Sequence, residues 1–222
     1  MKQNNIQIPE GYINSSLGII PNDWEVKRLG EVFSFKNGIN ASKKDYGQGV
    51  KFVNTMDVLN NQFIIADKLP GSVTITKKQE IDFILTYGDV LFNRTSETRN
   101  EVGCSSVFLD TKAAVFGGFI IRAQNLNKQI YAEYKKYCFK AKYFRDQVTA
   151  FGNGAIRYNL GQEDLSKVLL TIPPLPQQQK IAEILRTWDE AIEKQSTLID
   201  KLTERKRGLM QQLLTGKKRL AG

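Results

Sequence analysis

Three turn-like stretches of this sequence gather side chains that could grip a polyanion or read the edge of a base. KNGINASKKDYGQG offers Asn40, Ser42, Lys43, Lys44 and Tyr46, and NRTSETRNE offers Asn93, Arg94, Thr95, Ser96, Arg99 and Asn100. FGNGAIRYN offers Asn153, Arg157 and Tyr158, with Gly152 and Gly154 permitting close backbone approach. Lys and Arg neutralise phosphate, whereas Arg, Lys, Asn, Gln, Ser and Thr on a positioned element make the hydrogen bonds that tell bases apart. The same residue types fill ordinary solvated loops, so each stretch by itself suits either role. The chain carries 32 Lys and Arg against 23 Asp and Glu, a net charge of +9. That surplus suits nucleic acid or an acidic membrane surface, and equally a soluble protein that is merely basic.

Catalytic groups are scarce. The sequence has no histidine, which excludes a Ser-His-Asp triad, a Cys-His pair and a His-based metal site. It has no phosphate loop of the GxxxxGK[ST] type. Asp82, Asp89, Glu97 and Glu101 form no recognisable metal-nuclease pattern in the sequence. Cys104 and Cys138 lack CxxC spacing and read as small buried hydrophobes of a reducing compartment. The polar start MKQNNIQIPEGYINSS has no signal-peptide core, and AAVFGGFII is far shorter than a membrane helix. A cytoplasmic protein without a membrane partner is therefore expected.

The elements that must carry these stretches fall into two regions. Within residues 1–176, VKFVN, DVLFN, SVFLD, AVFGGFIIRA and KVLLTIP read as strands rich in Val, Ile and Phe. Ile130, Tyr134, Tyr137, Ala141, Phe144 and Val148 recur every three or four residues and predict one amphipathic helix, its aromatics packed in the core. The expectation is an α+β domain with a curled or mixed sheet. Pro173, Pro174 and Pro176 end the last strand. From residue 177 to 222 the composition turns helical, with a seam at alternating steps of four and three: Ile181, Leu185, Trp188, Ile192, Gln195, Ile199, Leu202, Lys206, Leu209, Leu213. All but Gln195 and Lys206 are apolar, the 3.5-residue repeat of a coiled coil. A helix from Gln177 to Leu214 would be about 57 Å long, more than its own domain could cover, so the seam calls for a partner. Gly216 and the cations after it suit the helix C-terminus.

Several of these segments together resemble the specificity subunit of type I restriction-modification systems, nearly end to end. IPNDWEVKRLGEVF, with Trp24 and Leu29 as packing residues, is similar to the start of that family's recognition domain, and YGDVLFNRT to its middle strand. IPPLPQQQKIAEILRTWDEAI followed by LIDKLTERKRGLMQQLLTGKKRL is similar to its conserved helical region, the most specific of the matches. One departure is Gln177, which stands where the family usually carries Glu.

A full-length subunit of that family has two recognition domains and two conserved helices, so one domain and one helix resemble half of it. The resemblance implies a non-catalytic reader of one half of a split target in double-stranded DNA. Its helix would pair with a second copy, or with a different half subunit, and dock modification and restriction subunits. S-adenosylmethionine, ATP and Mg would sit on those partners and none on this chain. Two other readings fit the residues: an oligomeric coiled-coil protein that binds RNA or another protein, and a metal-dependent nuclease with an unfamiliar carboxylate site.

Overall fold

The apolar run Val90–Asn93 forms a strand whose residues are all buried, as expected where both faces of a sheet are covered. A computed structural model describes residues 8–127, 129–154 and 157–219. The strand is flanked on one side by Ile120–Asn125 and then Phe33–Asn37, and on the other by Ser105–Phe108 and then Phe63–Ile64. The first three junctions are antiparallel and the last is parallel, giving a mixed five-stranded sheet. A second sheet sets Tyr46–Val53 between Ala114–Phe116, parallel, and Ser72–Val73, antiparallel.

Two clusters fill the space on either side of the central strand. Leu91 packs with Val53, Ile64, Leu85, Phe108 and Phe116, between the sheets. Phe92, the next residue along, meets Phe139 edge-on at 5.1 Å and Phe144 at 6.3 Å. Alternation along the strand thus sends neighbouring side chains into opposite cores. A third pairing closes the domain, because Glu25–Arg28 and Leu169–Ile172 are antiparallel partners from its two ends.

Two predicted elements divide. AVFGGFIIRA is two strands in different sheets, with Gly117 and Gly118 making the crossing: their N–H groups donate to Val53 O and Ile39 O. Gly38 lies against the same crossing, where a Cβ would sit 2.3 Å from the Phe116 and Gly117 carbonyl oxygens. The predicted helix over 130–148 is two short ones, Lys135–Cys138 and Lys142–Phe151. In one unbroken helix Phe139 and Phe144 would point about 140° apart. The break at Phe139–Ala141 brings both rings into one cluster, 5.2 Å apart. KVLLTIP also begins later than expected, since Lys167 ends a helix over Gln162–Lys167 and the strand starts at Leu169.

The chain separates into two compact units, residues 1–179 and 180–222. The helix Leu175–Leu214 begins in the first of these and has 40 residues, roughly 60 Å of helix. Pro176 sits in its first turn, where no N–H is missed. The start is tied down by two amides. Gln178 is fully buried; its Oε1 accepts from Tyr131 N–H, and its Nε2 donates to Gln129 O and Pro173 O, each at 2.8 Å. Gln177 accepts from Trp24 Nε1–H at 2.8 Å and donates from its own Nε2 to Asp23.

Within residues 180–222 the seam residues Trp188, Ile192 and Ile199 are 66%, 64% and 61% exposed, and Leu202, Leu209 and Leu213 are exposed as well. Ile181 and Leu185 are half-buried. Gly216, at φ +71°, closes the helix by donating to Leu213 O. No helix among the described residues is long and apolar enough to cross a membrane.

One buried cation makes the domain's stability depend on pH. Lys135 is 1% exposed, with its Nζ donating to Gly88 O at 2.6 Å and lying 5.5 Å from the Phe33 ring. Burial pulls its pKa down from 10.5 to about 8. From about pH 8 to 10.5 the unfolded chain holds a proton that the folded one has released, so stability contributed at this site rises with pH. Between pH 8 and 9.5, wild type is expected to gain about 1.5 kcal/mol on Lys135→Met in urea unfolding; parallel curves would refute this. For the helix start, Gln177→Glu would retain the bond from Trp24 but set a second carboxylate against Asp23. It should melt roughly 2–4 °C lower at pH 7 and recover toward pH 4, where one carboxyl takes up a proton.

Candidate nucleic-acid interface

Past Asn93 the chain leaves the sheet in a loop whose shape is held from inside. Asn93 N–H donates to Cys104 O at 2.8 Å, Gly103 N–H to Asn93 O at 2.7 Å, and Asn93 Nδ2 to Glu101 O at 3.1 Å. Ser96 Oγ donates to Glu101 Oε2 at 2.6 Å and accepts from Thr98 N–H at 3.1 Å. The hydroxyl of Ser96, followed by Thr98, holds the Glu101 carboxyl below its ordinary range. The helix Lys142–Phe151 grips the loop from below. Arg145 Nη2 donates to Asn100 O and Val102 O, both at 2.9 Å, and Arg99 Nε donates back to Thr149 O at 3.0 Å.

These bonds correct two sequence-based expectations. Asn93 is fully buried and Ser96 is 8% exposed, with both side chains engaged inside the loop. Both shape the loop that carries the others, Asn93 from inside it and Ser96 at the floor of a groove. Arg99 keeps an exposed guanidinium with one edge fixed by Thr149. Arg94 is half-buried, and no acidic partner is found for it among the described residues.

The second and third stretches meet. Thr95–Ser96 pairs antiparallel with Tyr158–Asn159, Thr95 Oγ1 donates to Asn159 Oδ1 at 2.8 Å, and Leu160 N–H donates to Arg94 O at 2.9 Å. Asn153 and Asn159 exchange backbone bonds at 3.1 and 2.8 Å, closing a small loop between them. Asn153 and Arg157 are exposed and Tyr158 is half-buried, while Ala155 and Ile156 lie outside the described residues. Arg157 Nη2 is 3.7 Å from Glu97 Oε1, with both side chains mostly exposed, a contact too weak to neutralise either group.

The first stretch joins the other two through residues the sequence did not single out. Lys43 and Lys44 are exposed on a single turn, Lys43–Asp45, where Ser42 N–H donates to Asp45 Oδ2 at 3.0 Å. Tyr46 follows at the head of its strand, half its ring in solvent and its edge 5.2 Å from Phe52. A groove of about 580 Å³ is lined by Asn40, Tyr46, Phe52, Asn54, Thr55 and Phe119. A second, of about 450 Å³, is lined by Thr55, Met56, Thr95, Glu97, Phe119 and Arg157. Thr55 and Phe119 border both, so the three stretches edge one continuous surface. Phe119 and Met56 are 60% and 58% exposed. Only the Gly117–Gly118 pair ahead of Phe119 hinted that this residue leaves the sheet.

The surface can therefore offer guanidinium and amide groups on braced loops, exposed lysines on a turn, and an apolar ridge. Among the described residues no three Cys, Asp or Glu side chains are gathered so as to hold a metal ion.

Comparison with known proteins adds independent information. Residues 21–204 match the family described as the type I restriction modification DNA specificity domain. The chain is 24% identical over 195 residues to the type I restriction enzyme MjaIX specificity subunit of Methanocaldococcus jannaschii, covering 85% of this chain and 44% of that protein. It is 24% identical over 230 residues to the MjaVIII specificity subunit of the same organism, covering 95% of this chain and 50% of that protein. The chain thus spans about half the length of these curated relatives. The fold is similar to that of the HsdS subunit from Thermoanaerobacter tengcongensis, with a TM-score of 0.58 at 16% identity over 83% of this chain and 42% of that one.

Proposed function

Because the chain belongs to the family of type I restriction modification DNA specificity domains, we propose that it selects the DNA site for such a system and performs no catalysis itself. The observation that carries this reading is the continuous surface of three stretches, with Arg94, Arg99 and Arg157 set on loops whose frame is hydrogen-bonded from within. A pre-set loop backbone suits base readout, because little backbone freedom remains to be lost on binding. Lys43, Lys44 and Tyr46 take the flanking backbone, while Arg94, Asn153, Arg157 and Tyr158 stand nearer the base edges.

The domain reads one half of a split target. The helix supplies the link to the other half. Its seam from Trp188 to Leu213 lies exposed along one element, and a second copy offers the same seam in return. Paired helices then form a coiled coil that holds two readers a fixed distance apart, about 34–36 Å for major-groove sites one turn apart. The helix also offers surface to the modification and restriction subunits. S-adenosylmethionine, ATP and Mg belong to those partners.

Two experiments test this. Co-expression with a modification subunit, followed by genome-wide mapping of methylated adenines, should return a palindromic motif interrupted by a spacer. Light scattering on the purified chain at micromolar concentration should give a dimer mass. A monomer would sink the self-pairing, and an asymmetric motif would point to a different half subunit. On a duplex carrying the motif, Arg94→Ala and Arg157→Ala should each weaken binding about 5- to 100-fold with unchanged melting temperature. Unaltered affinity in both would remove these loops from the interface.

A further inference from the structure

Phe119 is a large aromatic held out of the core by a backbone that has no slack. Gly117 N–H and Gly118 N–H donate to Val53 O and Ile39 O at 3.0 and 2.9 Å. Ile120 N–H closes the turn onto Gly117 O at 2.9 Å, and Phe119 O itself accepts from Arg94 N–H at 2.8 Å. Gly118 lies under the exposed Asn40 amide, where a Cβ would sit 2.0 Å from Asn40 Oδ1 and that side chain would have to swing aside. What projects from this turn is the Phe119 ring, 60% exposed, on the ridge between the two grooves, with Met56 at 58% beside it. Scattered exposed apolar residues need no explanation, but an aromatic ring on a braced turn, bordering both grooves of a cation-edged surface, does.

Resting on the DNA-reading proposal above, we infer that Phe119, backed by Met56, is an apolar wedge that presses into one base step of the target and partly unstacks it. Aromatic and methionine side chains inserted between bases deform duplex DNA, and the cost depends on the step being opened. A wedge has to resist the recoil of the stack, which is what the four backbone bonds around this turn provide. The cations on either side, Arg157 on one groove and Lys43 and Lys44 beside the other, hold the phosphates of a duplex astride the ridge. Phe119 would then bias target choice toward an easily opened step without a hydrogen bond to any base.

The test uses the full chain and duplexes enriched from a random 30-base-pair pool, with 2-aminopurine placed in turn at each adenine. Wild type should raise the fluorescence severalfold at one position and leave the others unchanged. Phe119→Ala should abolish that rise and weaken the enriched duplex at least 10-fold, with less than 2-fold change on random duplex. Met56→Ala should give a smaller loss in the same direction, and both variants should keep the wild-type melting temperature. No fluorescent position in wild type, or unchanged binding by Phe119→Ala, overturns the wedge while leaving loop-based readout standing. A pool with no enriched sequence would instead overturn the recognition proposal. In that case the wedge survives only if random duplexes show a rise that depends on Phe119.

Discussion

Burial of Val90–Asn93 on both faces and both edges is the constraint on which the rest of the domain depends. Leu91 and Phe92 belong to different cores, so the two sheets and the two helices of the aromatic cluster are all registered against four residues. A slip of one position would exchange the two cores and expose neither face to water, a change with no cheap relaxation. The strand ends in a buried asparagine rather than an exposed one. Because Asn93 is bonded through its N–H, its carbonyl and its amide, the loop that follows leaves the sheet at a fixed place and angle.

Much of this was legible in the sequence where composition and period act together. Continuous runs such as VLFN mark doubly covered strands, and the four-three spacing from Ile181 to Leu213 marks a helix whose apolar stripe is too narrow for a globular core. Elements that divide were harder to read. In AVFGGFIIRA the β propensity is uniform, and the crossing between sheets depends on Gly38 and Val53, both distant in sequence. The stripe from Ile130 to Val148 was correctly apolar but broken, because the core needed Phe139 and Phe144 side by side. Tertiary packing overrode a local period.

The site divides in the same way. Residue type cannot tell a polar side chain that faces solvent from one consumed by its own loop, and Asn93 and Ser96 are of the second kind. Phe119 escaped notice for the opposite reason, as an apolar residue in an apolar run. Gln177 shows a departure from the family pattern becoming intelligible: an amide can accept from Trp24 and donate to Asp23 at once, and a carboxylate can only accept.

Arg145 holds the loop by its backbone, through the carbonyls of Asn100 and Val102, and the loop's own closure uses Asn93, Ser96 and Glu101. Nothing in those bonds depends on which side chains stand at 94, 97 or 100. The arrangement separates grammar from vocabulary: a lineage can exchange the exposed residues and so reach a new target while the buried ones keep the loop in shape. Novelty in what is read then need not pass through an unstable intermediate, because the positions free to vary are not those that hold the fold.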